Sequence, residues 1–282
     1  MLALQPAPVQ AHYLGYSLTT GADFVQYLIT DRRFIPPEWK KYCAEELVYL
    51  PGSFMATRRA EISEAPITRA DCDLPKDAFV FANFNHPCKF EPSIFAIWMR
   101  LLRRVEGSVL WLIETNPIAA QNLRNEAKAR EIPPERLIFA PKLPLADHLA
   151  RHRHADLFLD TLPYNAHTTA SDALWAGVPV LTCLGETFAG RVAASLLRAI
   201  GLPELVTTSL ADYETLALKL AREPPFLAAI KAQLARNRET YPLFDTARFT
   251  RHIEAAYTTM WQRYQRGDPP KTFVVDERHS SP

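Results

Sequence analysis

His167, Thr168, Thr169 and Asp172 lie together in the segment Asp160–Val180, DTLPYNAHTTASDALWAGVPV. Ala155–Asp160 reads as a short apolar strand ending in a carboxylate, and Leu162–Ala166 as a loop. Thr168 and Thr169 open a helix that Gly177 closes, before a strand over Pro179–Cys183. In an open α/β sheet the turn after a strand lies at the carboxyl edge, where ligands bind. A helix start there offers unpaired N–H groups and the positive end of a dipole, which suits phosphate. Asp172 follows Thr168 by one helical turn and shares its face. A diphosphate at the threonines and a sugar hydroxyl at the aspartate would match this pattern. Alone, the same residues also read as a plain N-cap followed by a first-turn acid.

Three other groups carry polar chemistry. Asn83–Lys89 (NFNHPCK) follows a strand, and Lys89 is its fixed cation, placed to neutralise a phosphate leaving group or simply solvated. Asn83 and Asn85 are turn formers as well as possible ligand contacts. His148 and Arg151 share a helix face, where an imidazole and a guanidinium could meet a planar base. His148 and His152 also form an HxxxH pair, but Leu149 stands where the zinc motif HExxH has its glutamate, and a solvated helix end is the simpler reading. His167 is a base or a sugar or phosphate contact. Gly185–Arg191 (GETFAGR) is a second polar loop at the same edge, while Trp98, Trp111, Trp175 and Trp261 read as core.

These residues need a scaffold. From Ala78 on, the strands AFVFANF, SVLWLIE, RLIFA, ADLFLD and PVLTC alternate with helical patterns, which means a parallel sheet covered on both faces. Before it, Gln10–Tyr16 reads as a strand, Ala22–Thr30 as a helix, the stretch from Pro36 as another helix and Leu47–Leu50 as a strand. A final helix over 246–266 carries an apolar stripe of Phe249, Ile253, Tyr257, Met260, Trp261 and Tyr264. The fold class is α/β, Rossmann-like, preceded by an incomplete second α/β lobe. The expected division is 1–60 as part of an N-terminal lobe, 61–77 as a linker, 78–266 as the main lobe and 267–282 as a loose tail.

Composition narrows the function. A net charge of +1, from 32 basic and 31 acidic residues, argues against nucleic-acid binding by bulk charge. Four scattered cysteines without a CxxC pair suggest a reduced, cytoplasmic setting. The start, MLALQPAPVQAHY, lacks the pattern of a signal peptide, and no apolar run reaches membrane-span length. Neither GxxxxGK[ST] nor GxGxxG occurs, so a phosphate site must use helix starts and side chains.

Taken together, FLDTLPYNAHTTASDALWAGVPVLT, NFNHPCKFEPSIFAIWMRLL, IFAPKLPLADHLAR and GETFAGRVAASLL resemble the C-terminal catalytic lobe of the O-linked N-acetylglucosamine transferases. LGYSLTTGADFVQYLITD resembles the end of that family's N-terminal lobe. The resemblance implies a GT-B architecture and transfer of N-acetylglucosamine from its UDP conjugate to Ser or Thr hydroxyls of a protein or peptide, without a metal. It implies that Lys89 and His167 are catalytic. It further implies that Asn85, His86, Lys89, Leu143, His148, Arg151, His167, Thr168, Thr169 and Asp172 bind the donor. Of these, Lys89 meets the diphosphate, His148 and Arg151 the uracil, His167, Thr168 and Thr169 the phosphates and sugar, and Asp172 the ribose. Leu145 stands where the animal enzymes have a lysine. The tetratricopeptide array and the front of the N-terminal lobe are expected to be missing, which leaves a non-catalytic UDP-binding module as an alternative. Relatives with this lobe using GDP-fucose or UDP-glucose are a further one.

Overall fold

The structure is a computed structural model that describes residues 2–276. The chain folds into two compact units: Met1–Arg58 with Thr240–Pro282, and Arg59–Glu239.

The first unit opens with β1 (Ala11–His12), β2 (Tyr27–Asp31) and β3 (Glu46–Leu50). β2 overturns the helix expected over Ala22–Thr30. Its five residues are all buried, and it pairs in parallel with β1 on one side and β3 on the other. The apolar spacing of Phe24, Val25, Leu28 and Ile29 is compatible with a helix and with a strand buried on both faces. Pairing on two edges decides for the strand. The strand expected over Gln10–Tyr16 shrinks to β1, and the helix expected from Pro36 is a short 3-10 turn, Pro37–Tyr42.

The second unit carries β4 (Val80–Asn83), α1 (Pro92–Arg104), β5 (Val109–Ile113), α2 (Pro117–Ala129), β6 (Leu137–Ala140) and α3 (Leu145–Arg151). It continues with β7 (Leu157–Leu159), α4 (Thr168–Trp175), β8 (Val180–Cys183), α5 (Val192–Ala199), β9 (Val206–Thr207), α6 (Leu210–Arg222) and α7 (Pro224–Thr240). The strands form one parallel sheet in the order β6-β5-β4-β7-β8-β9. Adjacent β4 and β7 are not consecutive, so the strand order reverses there, and such a point is where open sheets bind ligands. Local signals start and stop the helices. Pro92 begins α1, Asn116 Oδ1 accepts from Ile118 N–H at α2, and Ser209 Oγ accepts from Asp212 N–H at α6. Gly177, at φ +90°, ends α4 in a left-handed turn that a side chain would strain. The expected linker is part of this unit: Trp175 Nε1 donates to Ala60 O, Ser63 N to Ala146 O and His154 Nε2 to Ile67 O.

The chain then returns to the first unit. α8 (Thr246–Gln265), capped by Asp245, packs Ala256 and Met260 against Tyr27, Ile29, Val48 and Leu50. The division expected from the sequence is corrected here: the last helix belongs to the first sheet. β10 (Phe273–Val274) pairs in parallel with β3, so the tail is ordered as far as this strand; 277–282 lie outside the described residues. Trp261 is half-exposed rather than core, stacked on Tyr264 at 5.4 Å. Among the described residues no helix is long and apolar enough to cross a membrane.

Met260→Ala should cost about 2–5 kcal/mol by leaving a cavity under β2 and β3. Hydrogen exchange should show protection falling in Tyr27–Asp31 and Glu46–Leu50. Loss confined to β4 and β5 would contradict the assignment of α8.

Candidate functional site: the carboxyl edge of the six-stranded sheet

β4 ends at Asn83, and the next two residues point to different neighbours. Phe84 meets the α3 side: its ring stands edge-on to Trp111, His148 and His152 at 4.9–5.1 Å. Asn85 meets the α4 side. Its Nδ2 donates to Thr161 Oγ1 at 3.3 Å, and its Oδ1 accepts from Thr169 Oγ1 at 2.6 Å. Asn83 Nδ2 ties this loop to β7 through Leu159 O at 2.6 Å. His86 is exposed, and its Nδ1 accepts from Cys88 N to cap the turn that carries Lys89.

Lys89 reaches across the edge. Its Nζ donates to Asn165 O at 2.8 Å and sits 4.0 Å from the Tyr164 ring centroid. Burial lowers its pKa, while the charge of Asp160 opposes that shift. Asp160, at the end of β7, is 1% exposed. Its Oδ1 accepts from Thr161 N at 2.7 Å and Ala166 N at 2.6 Å, and its Oδ2 from Thr182 Oγ1 of β8 at 2.6 Å. Burial pushes its pKa up to about 7 against these hydrogen bonds. Tyr213 of α6 donates to the Asp160 carbonyl at 2.9 Å and receives Trp98 Nε1 at 3.4 Å. The sequence marked Asp160 only as a strand-ending acid. Its signal was a carboxylate directly closing the apolar run Leu157–Leu159.

The loop after β7 is pressed against the loop after β8. Gly185 N donates to Gly190 O at 2.7 Å, and a Cβ on Gly190 would lie 2.9 Å from Pro163 O. Asn165 N also donates to Ala189 O at 2.8 Å. This holds His167, the N-cap of α4, with its ring stacked on Tyr164 at 5.0 Å. Burial, first, and the Lys89 charge lower the His167 pKa to about 4, and a hydrogen bond to the Ala189 backbone works the other way. His167 is therefore neutral at pH 7, and its buried Nε2 has no partner among the described residues. A contact that favours the protonated ring is made to the carbonyl, which puts the proton on Nδ1 and leaves Nε2 an acceptor. Thr168, exposed, and Thr169 are the first residues of α4, whose leading amides have no preceding turn to bond. Asp172 is half-exposed one turn later.

The α3 side differs from expectation in one respect. Arg151 was expected to touch a planar base directly, yet it is 1% exposed. Its Nη1 donates to Pro141 O at 2.6 Å and its Nη2 to His148 Nδ1 at 2.5 Å, with the guanidinium 5.2 Å from the Phe84 ring. The inward turn follows from helix geometry: Arg151 is the last residue of α3, beside buried Leu149, Ala150 and His152. Arginine cannot accept a proton, so His148 Nδ1 is the acceptor and the ring proton lies on Nε2. Burial, with neighbouring His152 and Arg151, lowers the His148 pKa to about 3. Leu143 and Leu145 are exposed at the loop before and the start of α3. The HxxxH pair is engaged locally, with His152 Nδ1 bonded to His148 O at 2.7 Å. Among the described residues no three metal-capable side chains come together.

These features define a class, an α/β fold of GT-B type with Lys89, His167 and the start of α4 gathered at one sheet edge. A mutant O-GlcNAc transferase from Thermobaculum terrenum matches it with a TM-score of 0.83 and 32% identity, over 94% of this chain and 51% of that one. A protein of Arabidopsis thaliana named "Probable UDP-N-acetylglucosamine–peptide N-acetylglucosaminyltransferase SEC" is 37% identical over 98% of this chain and 29% of its own length. The Caenorhabditis elegans UDP-N-acetylglucosamine–peptide N-acetylglucosaminyltransferase is 36% identical over 72% of this chain and 18% of its own length. The model of glycosyl transferase family 41 matches residues 1–65 and 56–253. The chain belongs to glycosyl transferase family 41. It spans less than a third of the length of these curated relatives and about half of the bacterial structure.

The histidine environments set a pH dependence. His148, His152 and His167 have folded pKa values of about 3, 4 and 4, below the ordinary 6.5, so the unfolded chain binds more protons between about pH 4 and 6.5 and stability rises with pH there. Asp160 acts oppositely: its raised pKa gives a contribution that is full below about pH 4 and lost as pH rises through about 7. Denaturant unfolding across this window should show a net rise in stability with pH. His167→Gln should reduce the slope by up to about one proton and Asp160→Asn should steepen it. Unchanged slopes in both variants would contradict these environments.

Proposed function

We propose that the chain is the donor-binding part of a UDP-N-acetylglucosamine-dependent protein O-glycosyltransferase. The observation that carries this reading is Lys89: a half-buried ammonium, bonded to Asn165 O, beside the neutral His167 and the opening of α4. Transfer breaks the bond between the sugar and UDP, and negative charge develops on the leaving diphosphate. Lys89, the Thr168 hydroxyl, the Thr169 backbone amide and the α4 dipole stabilise that charge. Because these groups supply the positive field, the reading requires no metal.

The remaining residues divide the donor between them. His148 offers its Nε2–H to the carbonyl edge of uracil, and Arg151 holds that tautomer from beneath instead of touching the base. Leu143 borders the base, Asn85 fixes Thr169, His86 fixes the Lys89 turn, and Asp172 accepts from the ribose. His167 Nε2 accepts from a sugar hydroxyl. The acceptor is a Ser or Thr hydroxyl of a protein or peptide, in keeping with the names of the relatives. The setting we propose is the cytoplasm, in keeping with four free thiols, two of them buried.

Thermal unfolding with UDP, UDP-N-acetylglucosamine and GDP tests the reading. A ligand at 100-fold excess over its Kd adds about 2.7 kcal/mol of stability. The uridine nucleotides should stabilise the wild type, GDP should not, and Lys89→Ala should lose the effect. In a peptide-transfer assay Lys89→Ala should lower kcat by roughly 10²–10³-fold, the range for removing one charge-stabilising donor. Stabilisation by GDP alone would move the reading to the fucose branch. Stabilisation by UDP without transfer would leave a binding module. No response to any nucleotide would overturn the site.

A further inference from the structure

The first unit has a sheet edge of its own. β2, β3 and β10 run parallel, and their carboxyl ends open on a cavity of about 800 Å³ lined by Arg32, Arg33, Tyr49, Leu50, Pro51, Gly52 and Val274–Asp276. This is the position at which parallel α/β sheets hold ligands. We propose that this cavity is a second binding site, for a small organic anion with a phosphate or carboxylate head and an apolar body. It does not rest on the donor-site reading.

Two independent observations support it. Arg32 is exposed and makes no ion pair or hydrogen bond among the described residues; its guanidinium lies 5.7 Å from the centroid of the Tyr49 ring. The adjacent carboxylate is already engaged, since Asp31 accepts from the amides of Arg33, Phe34 and Phe54 at 2.8 Å each. Tyr49 is 3% exposed, and its hydroxyl has no partner among the described residues. An unsatisfied buried hydroxyl is costly, and burial keeps this one protonated, hence a donor.

The surroundings define the ligand. Arg33 donates to Gly52 O at 3.2 Å, so Arg32 is the principal fork. Asp276 at the wall, and Glu38 within electrostatic range of Tyr49, limit the positive field and favour a head of one or two charges over a polyanion. Leu50, Pro51, Val274 and Val275 give the apolar wall. Arginine matches both carboxylate and phosphate with paired donors.

Saturation-transfer NMR with phenyl phosphate and benzoate tests the proposal and separates the two heads. Inorganic phosphate supplies the head alone and phenol the body alone. Phenyl phosphate, benzoate or both should bind the wild type more tightly than either fragment. Arg32→Ala should weaken binding about tenfold or more, and Tyr49→Phe, which keeps the ring, roughly threefold or more. Lys89→Ala should leave this binding unchanged. Four results would overturn the proposal: no binding by either aromatic anion, equal binding in Arg32→Ala, phenol binding as well as the anions, or loss in Lys89→Ala. The last would place the anion at the other sheet.

Discussion

A carboxyl group with 1% exposure is expensive to bury, and Asp160 is held by three donors drawn from three places in the chain. Thr161 N is its own neighbour, Ala166 N lies at the far end of the next loop, and Thr182 Oγ1 is on the adjacent strand. One side chain therefore fixes where β7 ends, how the loop to α4 closes, and how that loop meets β8. Its charge also offsets the cost of burying part of Lys89. Tyr213 and Trp98, both fully buried, lock the Asp160 carbonyl from the helix side. Removing an acceptor from this set would leave several buried donors without partners.

From that clamp the polar groups of the edge follow. The closed loop presents Asn165 O to Lys89 and stacks Tyr164 on His167. The two site histidines carry opposite tautomers because different neighbours fix them: the Ala189 backbone leaves His167 Nε2 an acceptor, and Arg151 leaves His148 Nε2 a donor. Both stay neutral at physiological pH, so the fixed cations are Lys89, beside the α4 start, and the buried Arg151 beneath His148. That distribution suits a ligand with a neutral planar end and an anionic centre, as a uridine diphosphate sugar has.

Much of the second unit was legible in the sequence. Strands buried on both faces are short apolar runs, and their alternation with helical patterns leaves little besides a parallel sheet. The loops after those strands then had to share one edge, which brought Asn85, Lys89, His167 and Thr169 together before any contact was known. The gaps have physical causes. Helical spacing of apolar residues in Ala22–Thr30 could not reveal that two strands flank it. The apolar stripe of α8 said that the helix packs, not that it packs on Tyr27, Ile29 and Val48. Arg151 read as a polar contact because arginine is seldom buried: its helix-face neighbour His148 was visible in the sequence, but Pro141 O, past the end of β6, is brought to it only by folding. Thr182 and Tyr213 gave no local sign at all, since their value lies in reaching a carboxylate and a carbonyl distant in sequence.

On this reading Asp160 builds the proposed donor site without touching the donor. Calorimetric titration of UDP into wild type and Asp160→Asn tests it, with far-UV circular dichroism and a cooperative melt showing that the variant is folded. Folded Asp160→Asn should bind UDP at least about tenfold more weakly, because the loop carrying Asn165 and His167 loses its anchor and Lys89 its counter-charge. Wild-type affinity in a folded Asp160→Asn would contradict it.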